Sequence, residues 1–213
     1  MKSLELSYFQ SVLTGILQGF SELFPISSLG HSVLVPAWIG GSWEQFLINE
    51  TAGESPYLLT IIALHVASSL TLIWFFRERW ILVIQAFFTS FTKKAKREKL
   101  TTTEQLIWKI LLATIPVGIL GILFQEQVGE LFSDPFAVGG FLFLNGVLLA
   151  GIEVFKKRRI TRELMNTEEI GNGQALLIGV TQSAALFPGI SRFGITMSAG
   201  LARGLSHSAA SDF

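Results

Sequence analysis

Leu23-Phe24-Pro25-Ile26-Ser27-Ser28-Leu29-Gly30 returns in the second half of the chain as Leu186-Phe187-Pro188-Gly189-Ile190-Ser191-Arg192-Phe193-Gly194. Each copy follows a Gly-x-x-Gln, Gly15 to Gln18 and Gly179 to Gln182, and the second differs mainly by one inserted glycine. A proline removes a backbone donor and pushes the residue before it away from helical geometry. Each copy therefore predicts an apolar helix that stops at Phe-Pro and restarts at Ser-Ser or Ser-Arg. One such break in each half of a hydrophobic chain predicts two facing re-entrant hairpins with a polar site between them.

Composition identifies the solvent around these hairpins. Half of the 213 residues are hydrophobic and 15% are charged, against about a quarter charged in soluble domains; mean hydropathy is +0.52. The expected fold is all-α, a polytopic membrane protein forming a single membrane-embedded domain over residues 1–213. Sixteen basic and sixteen acidic residues cancel, but they are segregated along the chain, which is a topology signal. The absence of cysteine excludes disulfides, thiolate catalysis and zinc-thiolate sites. Glu22 and Pro25 stand where a signal peptide would carry a small-residue cleavage site, so no removable signal peptide is expected.

Leu58 to Phe76, Leu106 to Phe124 and Phe136 to Phe155 are apolar stretches, each close to the ~20 residues that cross about 30 Å of hydrocarbon. Trp80 to Phe91 is too short to span and is expected along the interface or as a short packed helix. Basic residues gather at Arg77 and Arg79, in the expected loop Lys93 to Lys99, and at Lys156 to Arg159; acidic ones gather at Glu44, Glu50 and Glu54 and at Glu126, Glu130 and Asp134. Positive-inside reasoning places 77–105 and 156–173 in the cytoplasm and 40–57 and 125–135 outside. The two motifs then have opposite orientations, an inverted repeat. The 93–99 run reads as a cytoplasmic loop rather than a nucleic-acid patch.

The chemistry gathers in the motifs. Gln18 and Glu22, four apart, share a helix face, and Ser27, Ser28 and His31 fall within a turn after the break. A carboxylate, hydroxyls and an imidazole are costly to bury in a membrane. The second motif adds Ser191, Thr196 and Arg192, whose planar fork of donors suits phosphate oxygens. Free N–H groups where helices restart also favour an anion. Structural readings stand beside these. Ser27 suits a helix N-cap, His31 a packing role, and Glu22 with Arg192 a structural ion pair. His65 reads as structural, Glu153 as interfacial and the tryptophans as belt.

Gly15-x-x-Gln-Gly-x-x-Glu-x-x-Pro-x-Ser-Ser-x-Gly-His31 and Pro188-Gly-x-Ser-Arg-x-Gly-x-Thr196 resemble the two signature motifs of the undecaprenyl-diphosphate phosphatase family, the bacitracin-resistance type. Leu64-His65 and Ile115-Pro116 in the intervening spans add to the resemblance, which covers essentially the whole chain. It implies hydrolysis of undecaprenyl diphosphate to undecaprenyl phosphate at the outer face of the bacterial cytoplasmic membrane, recycling the lipid carrier of cell-wall synthesis. It also implies that Glu22, Ser27, His31 and Arg192 hold the family's functional positions and are catalytic; Gln18, Ser28, Ser191 and Thr196 beside them are expected to bind the substrate.

This sequence departs from the family pattern at Gln18, where some members have a second glutamate, and at Phe193 and Ile195, where small residues are usual. The chain stops at Phe213 where the family continues through about two more helices, so a partial sequence is expected. The expected mechanism is metal-assisted phosphoryl transfer. Ser27 is the first choice of nucleophile and His31 the proton-transfer group, while Glu22 binds metal or acts as base; phosphoserine, phosphohistidine and direct water attack all stay open. Hard oxygen ligands favour Mg²⁺ or Ca²⁺ as the divalent cation. The partners are the polyprenyl diphosphate and membrane lipid, and a homodimer is compatible with this reading. The alternative function is a transporter or flippase of an anionic polyprenyl lipid, since broken helices in inverted repeats also build transporters.

Overall fold

A computed structural model of the protein describes residues 7–43, 56–132, 134–157 and 165–213. The described residues are helical and contain no strand. In chain order the α-helices are α1 (Tyr8–Glu22), α2 (Ser28–Ile39), α3 (Pro56–Phe75), α4 (Arg77–Ala95), α5 (Thr102–Leu123), α6 (Gln125–Phe132), α7 (Pro135–Lys157), α8 (Asn172–Gln182), α9 (Arg192–Ala202) and α10 (His207–Asp212). Glu44, Glu50 and Glu54 of the acidic loop and Arg158 and Arg159 of the second basic run lie outside the described residues.

Both expected breaks are present. α1 opens on a capping box in which Ser7 Oγ accepts from Gln10 N at 3.2 Å while Gln10 Oε1 accepts from Ser7 N at 3.0 Å. It ends at Glu22, three residues before Pro25, and α2 starts at Ser28 with Ser27 as its N-cap. α8 continues as a 3-10 turn over Ser183–Leu186, is interrupted at Phe187-Pro188-Gly189, and α9 begins at Arg192.

The expected spans correspond to α3, α5 and α7. Thr102–Leu123 and Pro135–Phe155 are long and apolar enough to cross a membrane on their own. Leu59–Phe75 qualifies only together with Arg77–Ala95, from which it is bent by 85° at the break after Phe75. Only 17% and 11% of the apolar windows of α5 and α7 are buried. Helices this apolar and this uncovered need lipid as their solvent, so the chain is a membrane protein. The expected loop at Lys93 is corrected: Lys93 and Lys94 form the last turn of α4, where basic side chains favour the negative end of the helix dipole.

The chain divides into two compact units. Unit 1 comprises residues 1–70, 124–149 and 184–195; unit 2 comprises 71–123, 150–183 and 196–213. The core of unit 1 is built on Val33, Tyr57, Ile61 and Val138, with Leu29, Leu34 and Ala37 packed against them. That of unit 2 is built on Ile170, Ala175, Ile178, Leu201, Leu205, Ala209 and Ala210. In unit 2 α8 crosses α5 closely: a Cβ on Gly179 would lie 2.6 Å from Ala113 Cα, which only glycine permits.

Candidate active site

Within unit 1 the two helix breaks are held together by backbone proximity and by one side chain. A Cβ on Gly30 would come within 2.9 Å of Gly189 Cα. Gly189, the glycine inserted in the second copy, has φ +107°, and a Cβ there would meet Val138 O at 2.6 Å and Leu142 N at 2.8 Å. Any side chain at Gly189 is excluded twice, by conformation and by space. Asn145 of α7, 3% exposed, bridges the breaks: its Nδ2 donates to Pro25 O at 3.0 Å and its Oδ1 accepts from Ser191 N at 3.1 Å. Both partners are backbone groups that the breaks leave without helical partners. Asn145 carried no signal in the sequence beyond being a single amide in an apolar span.

A cavity of about 260 Å³ opens beside these breaks, and its lining includes Glu22, Ser27, Ser28, His65, Ser191 and Arg192. The contacts converge on Glu22 Oε2. Ser28 Oγ donates to it at 2.5 Å and Gln18 Nε2 at 3.0 Å, while His65 Nε2 lies 3.8 Å away. Because all three contacts use Oε2, the other carboxylate oxygen remains for a further partner. His65 Nδ1 lies 2.8 Å from Ile61 O, and since a carbonyl only accepts, Nδ1 carries the proton. In the neutral ring Nε2 is then an acceptor, and it sits 3.4 Å from Ser28 Oγ. Ser28 thus has two bases within reach, a carboxylate and an imidazole.

The neighbouring serine is occupied differently. Ser27 caps α2, its Oγ accepting from Gly30 N at 3.3 Å, and its backbone lies in the left-handed region at φ +65°. Such a conformation costs about 1–3 kcal/mol for a non-glycine residue and concentrates at functional sites. His31 does not line the cavity; its Nδ1 donates to Ser27 O at 2.9 Å, across the same turn. Ser191 caps α9 in parallel fashion, its Oγ accepting from Gly194 N at 3.1 Å. Arg192 is exposed at the cavity, and Phe193, 41% exposed, lines it too while Ile195 turns inward. Thr196, one turn beyond Arg192 on α9, belongs to unit 2 and is not in the lining.

Gln18 is 1% exposed and reaches the cavity only through Glu22. Its Oε1 is buried with no hydrogen-bond partner among the described residues. Turning the amide over would set oxygen against a carboxylate, so the observed orientation is the electrostatically sound one. No group of three or more His, Asp or Glu gathers among the described residues. Glu22 is the one carboxylate among the described residues that line the cavity, and it is the residue there that could hold a hard cation.

The family model described as bacitracin resistance protein BacA matches residues 11–213. This chain belongs to the BacA family. The undecaprenyl-diphosphatase of Mycolicibacterium paratuberculosis is 41% identical over 98% of this chain and 72% of its own length. Undecaprenyl-diphosphatase 2 of Frankia alni is 36% identical over 98% and 76%. Undecaprenyl-diphosphatase 1 of Burkholderia pseudomallei is 38% identical over 95% and 68%. The BacA match takes in both helix breaks and every residue that lines the cavity. His65, expected to be structural, is the lining residue that sequence reasoning set aside: its contacts with Glu22 and Ser28 depend on which face α3 turns toward the first break.

Proposed function

We propose that this chain hydrolyses undecaprenyl diphosphate to undecaprenyl phosphate and inorganic phosphate, the activity named for its BacA relatives, and so recycles the lipid carrier of cell-wall synthesis. The observation that carries the reading is a hydroxyl, Ser28, hydrogen-bonded to a carboxylate in a cavity that also presents a guanidinium. Ser28 is the nucleophile in preference to Ser27, whose Oγ is engaged as a helix cap. Its Oγ forms a bond to the terminal phosphorus while its proton passes to Glu22. The bond between that phosphorus and the bridging oxygen breaks, releasing undecaprenyl phosphate. Water then attacks the phosphoserine, giving inorganic phosphate and restoring the Ser28 hydroxyl. Arg192 and the N–H groups opening α9 neutralise charge on the transferring group, the main source of catalysis in phosphoryl transfer.

Glu22 would hold a divalent cation, Mg²⁺ or Ca²⁺, which when bound supplies Lewis-acid neutralisation of the diphosphate. His31 orients the Ser27 turn through its bond to Ser27 O. An apolar cavity of about 450 Å³ shares Leu29, His65 and Ser69 with the polar one, offering the first isoprene units a place beside the reacting group. The breaks are read as inverted re-entrant hairpins opening to the outer face of the cytoplasmic membrane, which the charge distribution supports.

The test is phosphate release from a C15 or C55 diphosphate by purified protein, with and without chelator. Release that stops on chelation and returns with Mg²⁺ or Ca²⁺ is expected. Lipid transfer across vesicles without phosphate release would replace the hydrolase by a transporter.

A further inference from the structure

The polar and apolar cavities of unit 1 meet at three residues, Leu29, His65 and Ser69, which line both. His65 and Ser69 stand four apart on α3 and so share one face, about one turn from each other. Ile61, Ile62, Val66 and Leu70 of the same helix line the apolar cavity alone, so the junction is a narrow band of α3. A prenyl diphosphate laid across it has a fixed order. Its terminal phosphate lies with Ser28 and Arg192, its hydrocarbon lies in the apolar cavity, and the proximal phosphate that joins them falls at the junction.

The three junction residues differ in what they offer that phosphate. Leu29 has no donor. His65 Nδ1 is turned to Ile61 O at 2.8 Å, which leaves Nε2 as an acceptor toward the cavity. Ser69 supplies the remaining polar side chain, and it is exposed. Hydroxyls inside apolar helices often donate back to a carbonyl one turn earlier, as Thr114 and Thr181 do at 2.9 and 2.8 Å. Ser69 makes no hydrogen bond among the described residues, so its O–H is available at the junction. The demand for a donor there grows during the reaction. As Ser28 Oγ bonds to the terminal phosphorus, the bond from that phosphorus to the bridging oxygen breaks. The electron pair stays on that oxygen, and the proximal phosphate gains negative charge as it leaves. A donor aimed at developing charge stabilises the transition state more than the ground state.

Resting on the phosphatase reading, we propose that Ser69 donates to the proximal phosphate and stabilises it as the leaving group. Two ligands titrated into the full chain in detergent test the contact without turnover: farnesyl monophosphate, which carries only the proximal phosphate and its tail, and inorganic phosphate. Ser69→Ala should weaken farnesyl monophosphate about tenfold, the scale of one hydrogen bond to a charged group, and leave inorganic phosphate within about twofold. Ser69→Thr, which keeps the hydroxyl, should bind both near wild type. Phosphate release from farnesyl diphosphate should fall in Ser69→Ala about as far as farnesyl monophosphate binding does. Unchanged farnesyl monophosphate binding in Ser69→Ala, an equal loss for inorganic phosphate, or equal losses in the alanine and threonine variants overturns the proposal. A wild-type chain that releases no phosphate, with the selective binding loss in Ser69→Ala intact, would overturn the phosphatase reading while supporting Ser69 as the phosphate contact.

Discussion

Ser27 and Ser28 are neighbours, but a helix begins between them, and that boundary divides their work. Ser27 lies outside α2 with its hydroxyl turned to the Gly30 N–H; Ser28 lies inside it with its hydroxyl on Glu22. Glycine adopts φ near +65° without strain and costs only a few tenths of a kcal/mol as an N-cap. Ser27→Gly should therefore keep its melting temperature and lose less than about tenfold in turnover. Ser28→Gly should lose at least about a hundredfold, the scale of a positioned nucleophile or proton-transfer group. Phosphate release by the two purified variants checks this, and equal losses would return the nucleophile to Ser27. The sequence pointed to the Ser-Ser pair and put Ser27 first as nucleophile, whereas the hydrogen bonds favour Ser28, because the roles differ by one residue of helix boundary. His65 was hidden for a related reason: a histidine in an apolar span gains chemistry only from what packs beside it.

At the scale of the elements, the breaks were legible because their cause is covalent. Pro25 and Pro188 lack the N–H that a continuing helix requires, and Ser27 and Ser191 offer the caps that restart one. The clamp on them was not legible, since Asn145 bonds to two backbone groups far away in sequence. Asn145→Leu leaves Pro25 O and Ser191 N without their amide partner, and a buried unsatisfied group costs about 1–3 kcal/mol. Asn145→Asp keeps an acceptor for Ser191 N but puts a second oxygen against Pro25 O. Both variants should therefore melt several degrees lower and lose activity beyond that loss of stability, as should Gly189→Ala. Thermal unfolding in detergent, paired with initial rates at a temperature where every variant stays folded, measures the two effects separately. Wild-type rates in both Asn145 variants would show that the bridge stabilises the breaks without positioning the site.

For the whole molecule, membrane residence was legible from composition and the span positions from continuous apolar runs; each of the three runs lies within a helix or one residue past its end. The division into two units was not, because each unit is assembled from three separated segments. Sidedness rests on charge alone and can be tested directly, since the chain has no cysteine and any label must report an introduced one. Lys96, just past α4, and Glu126, in α6, are both exposed, so neither should fail to react for want of access. An electrostatic preference for the cytoplasm acts on Lys and Arg near span ends, and five such residues crowd positions 93–99, against none in 125–135. Glu126→Cys should accordingly react with an impermeant thiol reagent in intact cells, and Lys96→Cys only after lysis. The reverse pattern would turn the molecule over, place the phosphatase cavity's access on the cytoplasmic side and remove the reading of the outer face. Labelling of both in intact cells would mean that the charge asymmetry does not orient the chain.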